Sequence, residues 1–458
     1  MEKHQDEKLG TAPLGPLMVG MIVPAVIAQG VNVLYNIIDR IYIGHIPEVG
    51  RTALTGVGVC FPIITIISAF SAFVGMGGAP RAAIWLGKGN RDMAERILGN
   101  GVTVLLAFSL ILSLFFQAFK EPIILTFGGS ENTLAYAMDY LGIYLWGTVF
   151  VQLALGLNMF ITSQGKSRTA MLSILIGAII NLILDPVFIF VFSMGVKGAA
   201  LATVISQLCS CLWIVTFLVS ERSGIRIRLR NMRPDWKIIG SVAALGIAPF
   251  TMQSTESLVS IVLNSGLQRY GGDLYVGSLT IMQSVMQLIV VPLQGVQQGT
   301  QPIISYNFGA HNKERIVQTL KVSAVVIVTA STLSCLATVF FPGIFARMFT
   351  QDEALIKLVE QVMPIFMAGI WIFGVQMVCQ SAFMGMGQAK ISLFLALLRK
   401  IILLVPLALA LPRFFGVMGI YYAEPIADVT AAVTTGILFT LNFNKIIKKE
   451  MGEKKENG

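Results

Sequence analysis

The chain has 458 residues, of which 55% are hydrophobic and only 12% charged, and its formal net charge is +9 at pH 7. Soluble domains carry about 25% charged residues, so this composition excludes an ordinary soluble protein and indicates a polytopic helical membrane protein. The basic residues lie in short loops between apolar runs. That placement argues against nucleic-acid binding and instead reports the orientation of a membrane protein.

Apolar runs long enough to cross a bilayer define the predicted helices. A hydrocarbon core of about 30 Å requires about 20 helical residues. The first six runs lie at 17–42, 54–86, 95–119, 134–163, 168–192 and 197–220. After a basic linker at 221–237, six more lie at 238–268, 276–307, 317–345, 355–385, 391–412 and 416–443. The predicted fold is an all-α membrane protein with twelve transmembrane helices.

The Lys and Arg residues are distributed unequally between the two sides of the membrane. The termini and the loops on their side hold 25 of the 33, and the opposite loops hold 8. By the positive-inside rule, both termini are predicted to be cytoplasmic. The expected location is the cell membrane, which is the inner membrane in a cell with two.

The second half of the chain repeats the first. Gly87 pairs with Gly309 at an offset of 222, and GVKGAALA (195–202) matches GVMGIYYA (416–423) at an offset of 221. Six spans per repeat place both halves in the same orientation, as in transporters built from parallel repeats. The predicted units are two pseudo-symmetric six-helix bundles, an N-lobe at 1–220 and a C-lobe at 238–458, joined by the linker at 221–237.

The first run contains an acid, Asp39. Tyr35 and Asn32 precede it by four and seven residues, so they share its helix face and can hydrogen-bond the carboxylate. The alternative is an ordinary charged pair at the membrane interface, because Arg40 follows directly.

The fourth run offers candidates for a substrate cavity. Asn158, Met159 and the earlier Gln152 are these candidates, since methionine repacks around dissimilar ligands. The alternative is that they serve only core packing or face lipid.

The fifth and sixth runs bring further polar groups to the same depth. Asn181 and Asp185 share one helix face, and Pro186 removes a backbone donor and favours a bend. A rise of 1.5 Å per residue places Asp185 about 12 Å and Thr203 about 10 Å from the outer ends of their helices. Asp39 also lies in the outer half of its helix. The alternative for Asp185 is a structural proline kink with a hydrogen-bonded acid.

The seventh run contains Glu256 near the membrane centre, with Gln253 one turn before it. A charge at that depth costs about 2.5–3.5 kcal/mol on insertion scales. Asp39, Asp185 and Glu256 are taken as the charges that lie well inside the spans. The alternative for Glu256 is an acid satisfied by neighbouring Ser and Gln side chains.

Three motifs carry a resemblance to a known family: NIIDRIYIG (36–44), NLILDP (181–186) and GVKGAALATVIS (195–206). With the twelve spans and the basic linker, they resemble the multidrug and toxic compound extrusion (MATE) transporters, in particular the DinF-type branch. The resemblance covers essentially the whole chain. It implies a V-shaped pair of bundles that exports diverse, often cationic amphiphiles in exchange for sodium ions or protons.

The resemblance also assigns roles to individual residues. Asp39, Asn181, Asp185 and Thr203 match the cation site of the N-lobe, which holds Na⁺ or H⁺. Glu256 matches an acid of NorM-type members and, with Gln253, Tyr35, Asn32, Asn158, Gln152 and Met159, is a candidate for substrate binding or a second ion site. The chain departs from that pattern at Phe373, where NorM-type members carry an aspartate.

The leading prediction is a monomeric antiporter of cationic or amphiphilic drugs that contacts membrane lipids and binds no nucleic acid. It would use a coupling ion but no other cofactor, and no metal beyond sodium at the cation site. The main alternative is a lipid-linked precursor flippase, which also uses two six-helix lobes. An enzyme is disfavoured, because the spans hold no nucleophile-and-base or metal motif and GKS (165–167) lacks the upstream glycine of a phosphate-binding loop.

Overall fold

The computed structural model describes residues 8–127 and 130–456, with side chains for all of these except Arg51, Ser257, Asp273 and 450–456. Every regular element in these ranges is a helix. The first half contains α1 Lys8–Thr11, α2 Leu14–Gly44, α3 Gly50–Gly87, α4 Arg91–Thr126, α5 Glu131–Trp146, α6 Thr148–Ser163, α7 Ser167–Pro186 and α8 Val196–Val219.

The second half follows a short 3₁₀ turn at Leu229–Met232. It contains α9 Trp236–Gly271, α10 Asp273–Gly309, α11 Lys313–Phe340, α12 Pro342–Phe349, α13 Glu353–Phe366, α14 Ile370–Gly385, α15 Ala389–Leu397, α16 Val405–Ala410, α17 Pro412–Phe415 and α18 Met418–Glu456. A 3₁₀ turn at Met367–Gly369 joins α13 to α14, and π turns follow α7 at Val187–Val191 and α15 at Leu398–Leu404.

The predicted fold class is confirmed. Within the described residues, eleven helices are long and apolar enough to cross a membrane, and a bent pair brings the total to twelve. That pair is α5 and α6, which meet at 59°. The fourth span was predicted as one run, but a Cβ atom at Gly147, between the two helices, would lie 2.4 Å from Val204 of α8. The bend therefore coincides with a close approach that only glycine permits.

The internal repeat has a physical basis at equivalent turns. Asn90 and Asn312, 222 residues apart, each accept a hydrogen bond from the backbone N–H three residues later, at 3.0 Å, and so cap α4 and α11. Gly165 and Gly387, also 222 apart, have φ angles of 80° and 69°, a region that glycine adopts without strain. The lobe boundaries at 220 and 238 stay a prediction.

The two halves meet along α3 with α9 and along α2 with α10. A Cβ atom at Gly77 would lie 2.5 Å from the Val242 carbonyl oxygen, and one at Gly295 would lie 2.6 Å from the Val26 Cα. These contacts lie near the end of the molecule that carries the 221–237 linker, which we call the linker side. Glycine at these crossings, on both helices in the case of Gly77 and Gly246, lets the backbones approach closely.

At the opposite end, the same helix faces lose contact with the other half. Ile37 follows Val26 by about three turns on α2 and is 46% exposed. Glu256 follows Val242 by nearly four turns on α9, and its side chain is 66% exposed. We infer from these exposed faces that a cleft lies between residues 31–44 of α2 and residues 251–271 of α9, and that it opens away from the linker side.

Candidate cation site

Two acids from helices far apart in the sequence meet in the first half of the protein. Asp39 of α2 and Asp185 of α7 have carboxyl groups within hydrogen-bonding range of each other. Asp185 is fully buried. Asn181, one turn earlier on α7, donates from Nδ2 to Asp185 Oδ1 at 3.2 Å. The structure thus brings together the acids of the first and fifth predicted spans.

The local backbone of α7 changes directly after these residues. Pro186 ends the regular α-helix, and Val187–Val191 forms a π turn. Proline lacks the N–H that would continue the hydrogen-bond ladder, and single π turns occur often at functional sites. The bend predicted at Pro186 therefore takes the form of a local change in helix type.

The pair has unused capacity for hydrogen bonding. Asp39 Oδ1 and Asp185 Oδ2 are both buried and, among the described residues, neither accepts a hydrogen bond from a group outside the pair. Two carboxylates at this distance repel each other strongly when both are ionised in a dry environment. A proton shared between them, or a cation among their oxygens, removes that cost, and the two acids titrate as one coupled pair.

Two further contacts surround the acids. The Tyr35 hydroxyl lies close to the Gln207 side chain of α8. Tyr140 of α5 lies close to Thr203, whose hydroxyl donates to the Ala199 carbonyl at 3.0 Å. Thr203 and Tyr140 are 5% and 4% exposed, so the helix α8 closes one side of the acid pair.

The donor set suits a hard cation. Carboxylate, amide and hydroxyl oxygens are the ligands that sodium-like ions prefer over nitrogen or sulfur. The unpartnered oxygens of Asp39 and Asp185 supply the negative charge, and either Na⁺ or a proton fits this chemistry. Within the described residues, no group of three His, Cys, Asp or Glu is arranged to hold a metal ion.

Sequence reasoning missed three residues of this site. Gln207 follows Thr203 by one turn on α8, and Tyr140 and Tyr144 form a stacked pair on α5 with ring centroids 6.1 Å apart. Their i,i+4 spacing is a signal that they share a face. Asn32 was predicted beside Asp39, but it is half-buried and its side chain takes no part in the described contacts of the site.

The cavity candidates of the fourth span serve helix packing in this conformation. Gln152 is fully buried and bridges α6 to α3, accepting from Ser71 Oγ at 3.0 Å and donating to the Ile67 carbonyl at 2.8 Å. Asn158 donates to Ser173 Oγ at 2.7 Å. Met159 packs against Gly75. The hydrogen bonds of Gln152 and Asn158 join helices here, and a role of these three residues in substrate binding stays a prediction.

The second half differs from its prediction. Glu256 forms an ion pair with Lys400, and Gln253 is exposed. Arg399 and Lys400 fall within the predicted run at 391–412, although they were counted with the basic residues on the side of the termini, and the structure places both in the π turn of the eleventh span. A tethered ammonium thus stands where a cluster of oxygen ligands was expected.

A buried charge cluster behind this pair was also missed. Arg399 lies 2.8 Å from Glu424 and 2.5 Å from Asp428, both on α18. The two acids are 5% and 1% exposed. Phe373, the position that departs from the family pattern, lies under the guanidinium, 4.5 Å from ring centroid to Cζ. Glu424 and Asp428 therefore join Asp39, Asp185 and Glu256, which were predicted as the acids well inside the spans.

Comparison with known proteins places this geometry in context. The family model MatE matches residues 24–187 and 250–409. Multidrug export protein MepA of Staphylococcus aureus (strain NCTC 8325 / PS 47) is 24% identical over 431 residues, 94% of each chain. MepA of Staphylococcus haemolyticus (strain JCSC1435) is 25% identical over 416 residues, 91% of each chain. The DinF-type branch stays a prediction.

Solved structures share the fold. A MATE protein in its bent conformation matches with a TM-score of 0.90 at 22% identity, covering 98% of this chain and 99% of that one. The outward-facing conformation of a multidrug resistance MATE family transporter of the MOP superfamily matches with a TM-score of 0.89 at 21% identity, covering 97% and 98%.

Proposed function

Since the chain belongs to the MatE family, we propose that it is a secondary active exporter of cationic and amphiphilic small molecules rather than an enzyme. The observation that carries the proposal is the buried pair Asp39 and Asp185, with one unpartnered oxygen on each. Support also comes from the multidrug export proteins named MepA, which match 94% of the chain.

Charge balance at this pair provides the coupling. When neither a proton nor Na⁺ is bound, the site carries excess negative charge, which attracts a cationic substrate. Entry of the coupling ion neutralises Asp39 and Asp185 and favours release of the substrate. Ion and substrate therefore compete for the same negative charge, and each transport cycle exchanges one for the other.

The ion is sodium or a proton. Asp39, Asn181, Asp185 and Thr203 are the residues that would hold Na⁺ through oxygen atoms. A proton would need only the two acids, because a single proton between two carboxylates already removes their repulsion.

We infer that the linker side is cytoplasmic, because the loops and termini on that side carry most of the Lys and Arg residues. The cleft between α2 and α9 would then open to the outside, which is the state that receives the coupling ion and releases the substrate. The likeness to an outward-facing transporter supports this assignment. The protein would act as a monomer in the cell membrane, surrounded by lipid.

A lipid-linked precursor flippase is the less favoured function. An anionic headgroup calls for a basic cavity, whereas the first-half site is built from two acids. The relatives' names also refer to drug export.

The test is transport of a fluorescent cationic dye by proteoliposomes of known orientation. A sodium gradient and a proton gradient are imposed separately. Dye movement that follows one gradient identifies the coupling ion. If neither gradient drives dye movement, drug export is contradicted, and lipid-linked substrates are then tested.

A further inference from the structure

The second half contains its own intramembrane charge cluster, formed by Arg399, Lys400, Glu424, Asp428 and Glu256. Three acids face two bases, so the cluster carries one net negative charge when all five groups are ionised. Charged groups in this region of a membrane protein are costly and usually functional. The site described above does not use them.

The internal repeat relates this cluster to the cation site of the first half. At the offset of 221, Glu424 is the counterpart of Thr203, and Asp428 is the counterpart of Gln207. Both halves also interrupt the preceding span with a π turn. Where the first half leaves acid oxygens without a partner, the second half supplies the Arg399 guanidinium as a built-in cation.

Lys400 extends this arrangement to the wall of the cleft. Its ammonium pairs with Glu256, whose side chain is 66% exposed, whereas the Lys400 side chain is only 12% exposed. Glu256 lies on the α9 face that contacts α3 deeper in the protein and reaches the cleft here. A molecule in the cleft therefore meets the carboxylate before it meets the lysine.

Lys400 has a second acid within electrostatic range. Glu424 interacts with Lys400 as well as with Arg399 and Asp428. A lysine side chain is flexible and carries a compact charge. If its ammonium leaves Glu256, Glu424 can accept it without leaving a buried ammonium unpaired, which would be costly.

We propose that Lys400 is a tethered competitor for organic cations at Glu256. In the empty cleft Lys400 occupies the carboxylate. A protonated amine or quaternary ammonium displaces it, and Lys400 moves to Glu424. Lys400 thereby determines specificity, because it rejects cations that bind Glu256 too weakly to displace an ammonium. This inference rests on the proposed export of cations and adds a second contact for them.

The test measures binding of tetraphenylphosphonium, a permanent monocation, to the full-length protein in lipid nanodiscs. Lys400→Met removes the competitor, so the Kd of this variant for tetraphenylphosphonium should fall about tenfold, which corresponds to about 1.4 kcal/mol. Lys400→Arg keeps the charge and should change Kd less than about twofold. Lys357→Met, at an exposed position of α13, is the matched control for loss of a lysine elsewhere, and it should leave Kd unchanged.

Two further variants make the outcome decisive. Adding Glu256→Gln to Lys400→Met should abolish the gain in affinity for tetraphenylphosphonium, because the carboxylate is then absent. Lys400→Gln should reproduce the gain with a polar side chain, which separates competition from a packing defect. Unchanged or weaker binding in both Lys400→Met and Lys400→Gln, with binding by the wild type intact, overturns this inference alone. Failure of the wild type to bind the cation overturns the proposed function together with it.

Discussion

Asp39 and Asp185 lie on the first and fifth spans, with three spans between them in the chain, yet their carboxyl groups lie within hydrogen-bonding range of each other. Each retains one buried oxygen without a partner among the described residues. A pair built in this way is favourable only with a proton or a cation present. This requirement underlies the first prediction.

Binding of a permanent cation should strengthen as pH rises. Protons and the cation compete for Asp39 and Asp185, so a lower proton concentration leaves more negative charge for the cation. Over the pH range in which the pair loses its proton, Kd should fall by up to about tenfold per pH unit if one proton is displaced. Equilibrium binding of tetraphenylphosphonium provides the measurement. A Kd that does not change with pH in the wild type would contradict proton competition at this pair.

Close packing between α3 and α9 should depend on Gly77. Alanine there would place its Cβ 2.5 Å from the Val242 carbonyl oxygen. We therefore expect the conformation with a closed linker side to be destabilised by about 1–3 kcal/mol. Gly240→Ala is the matched control, since nothing lies within 4 Å of its Cβ position, and it should stabilise α9 by up to about 1 kcal/mol. Spin-label distances across the linker side would report the difference; equal distances in both variants would refute it.

The short helix α1 should hold the linker side closed. Leu9 is 1% exposed, and its carbonyl accepts hydrogen bonds from Asn307 Nδ2 and Arg315 Nε, both at 2.9 Å. Arg315→Gln should weaken this attachment by about 1–3 kcal/mol, as expected for a lost charged hydrogen bond. Hydrogen exchange of residues 8–13 should accelerate accordingly, while Lys313→Gln should leave it unchanged. Equal protection in the two variants would mean that Arg315 does not hold α1.

Removing Arg399 should destabilise the second half. Arg399→Met leaves Glu424 and Asp428 buried without their cation, and breaking a buried pair in this way typically costs about 3–5 kcal/mol. Combining it with Glu424→Gln and Asp428→Asn should recover most of the loss, because no buried charge then remains unpaired. Thermal unfolding in detergent compares the variants. An Arg399→Met protein as stable as the wild type would show that the cluster does not need its guanidinium.

The first-half site was largely predictable because it depends on regular helix geometry. Asp39, Asn181, Asp185 and Thr203 lie on helices whose rise and period fix depth and facing. Tyr140 and Gln207 were missed because their contribution depends on how α5 and α8 pack, which no periodicity within one helix reveals. The bend at Gly147 has the same origin, in a contact with Val204 of a distant helix.

The second-half cluster was missed for a different reason. Arg399 and Lys400 stand next to each other inside the predicted run at 391–412, and counting them with the loop residues left their place in the span unexamined. Their burial is made possible by Glu424 and Asp428 on another helix, and a sequence window does not include such partners. The repeat offset that pairs Glu424 with Thr203 was a usable signal for this cluster.

The most direct test of the central claim is dye transport by Asp185→Asn and Asp39→Asn proteins in proteoliposomes, with the gradient that drives the wild type. Either substitution removes one acid of the pair while preserving size, so ion-driven transport should fall to the level of empty liposomes although the protein inserts and folds. Asp139→Asn, at a partly exposed residue paired with Lys197, is the matched control and should transport normally. Ion-driven transport at the wild-type rate by both pair variants would contradict the account.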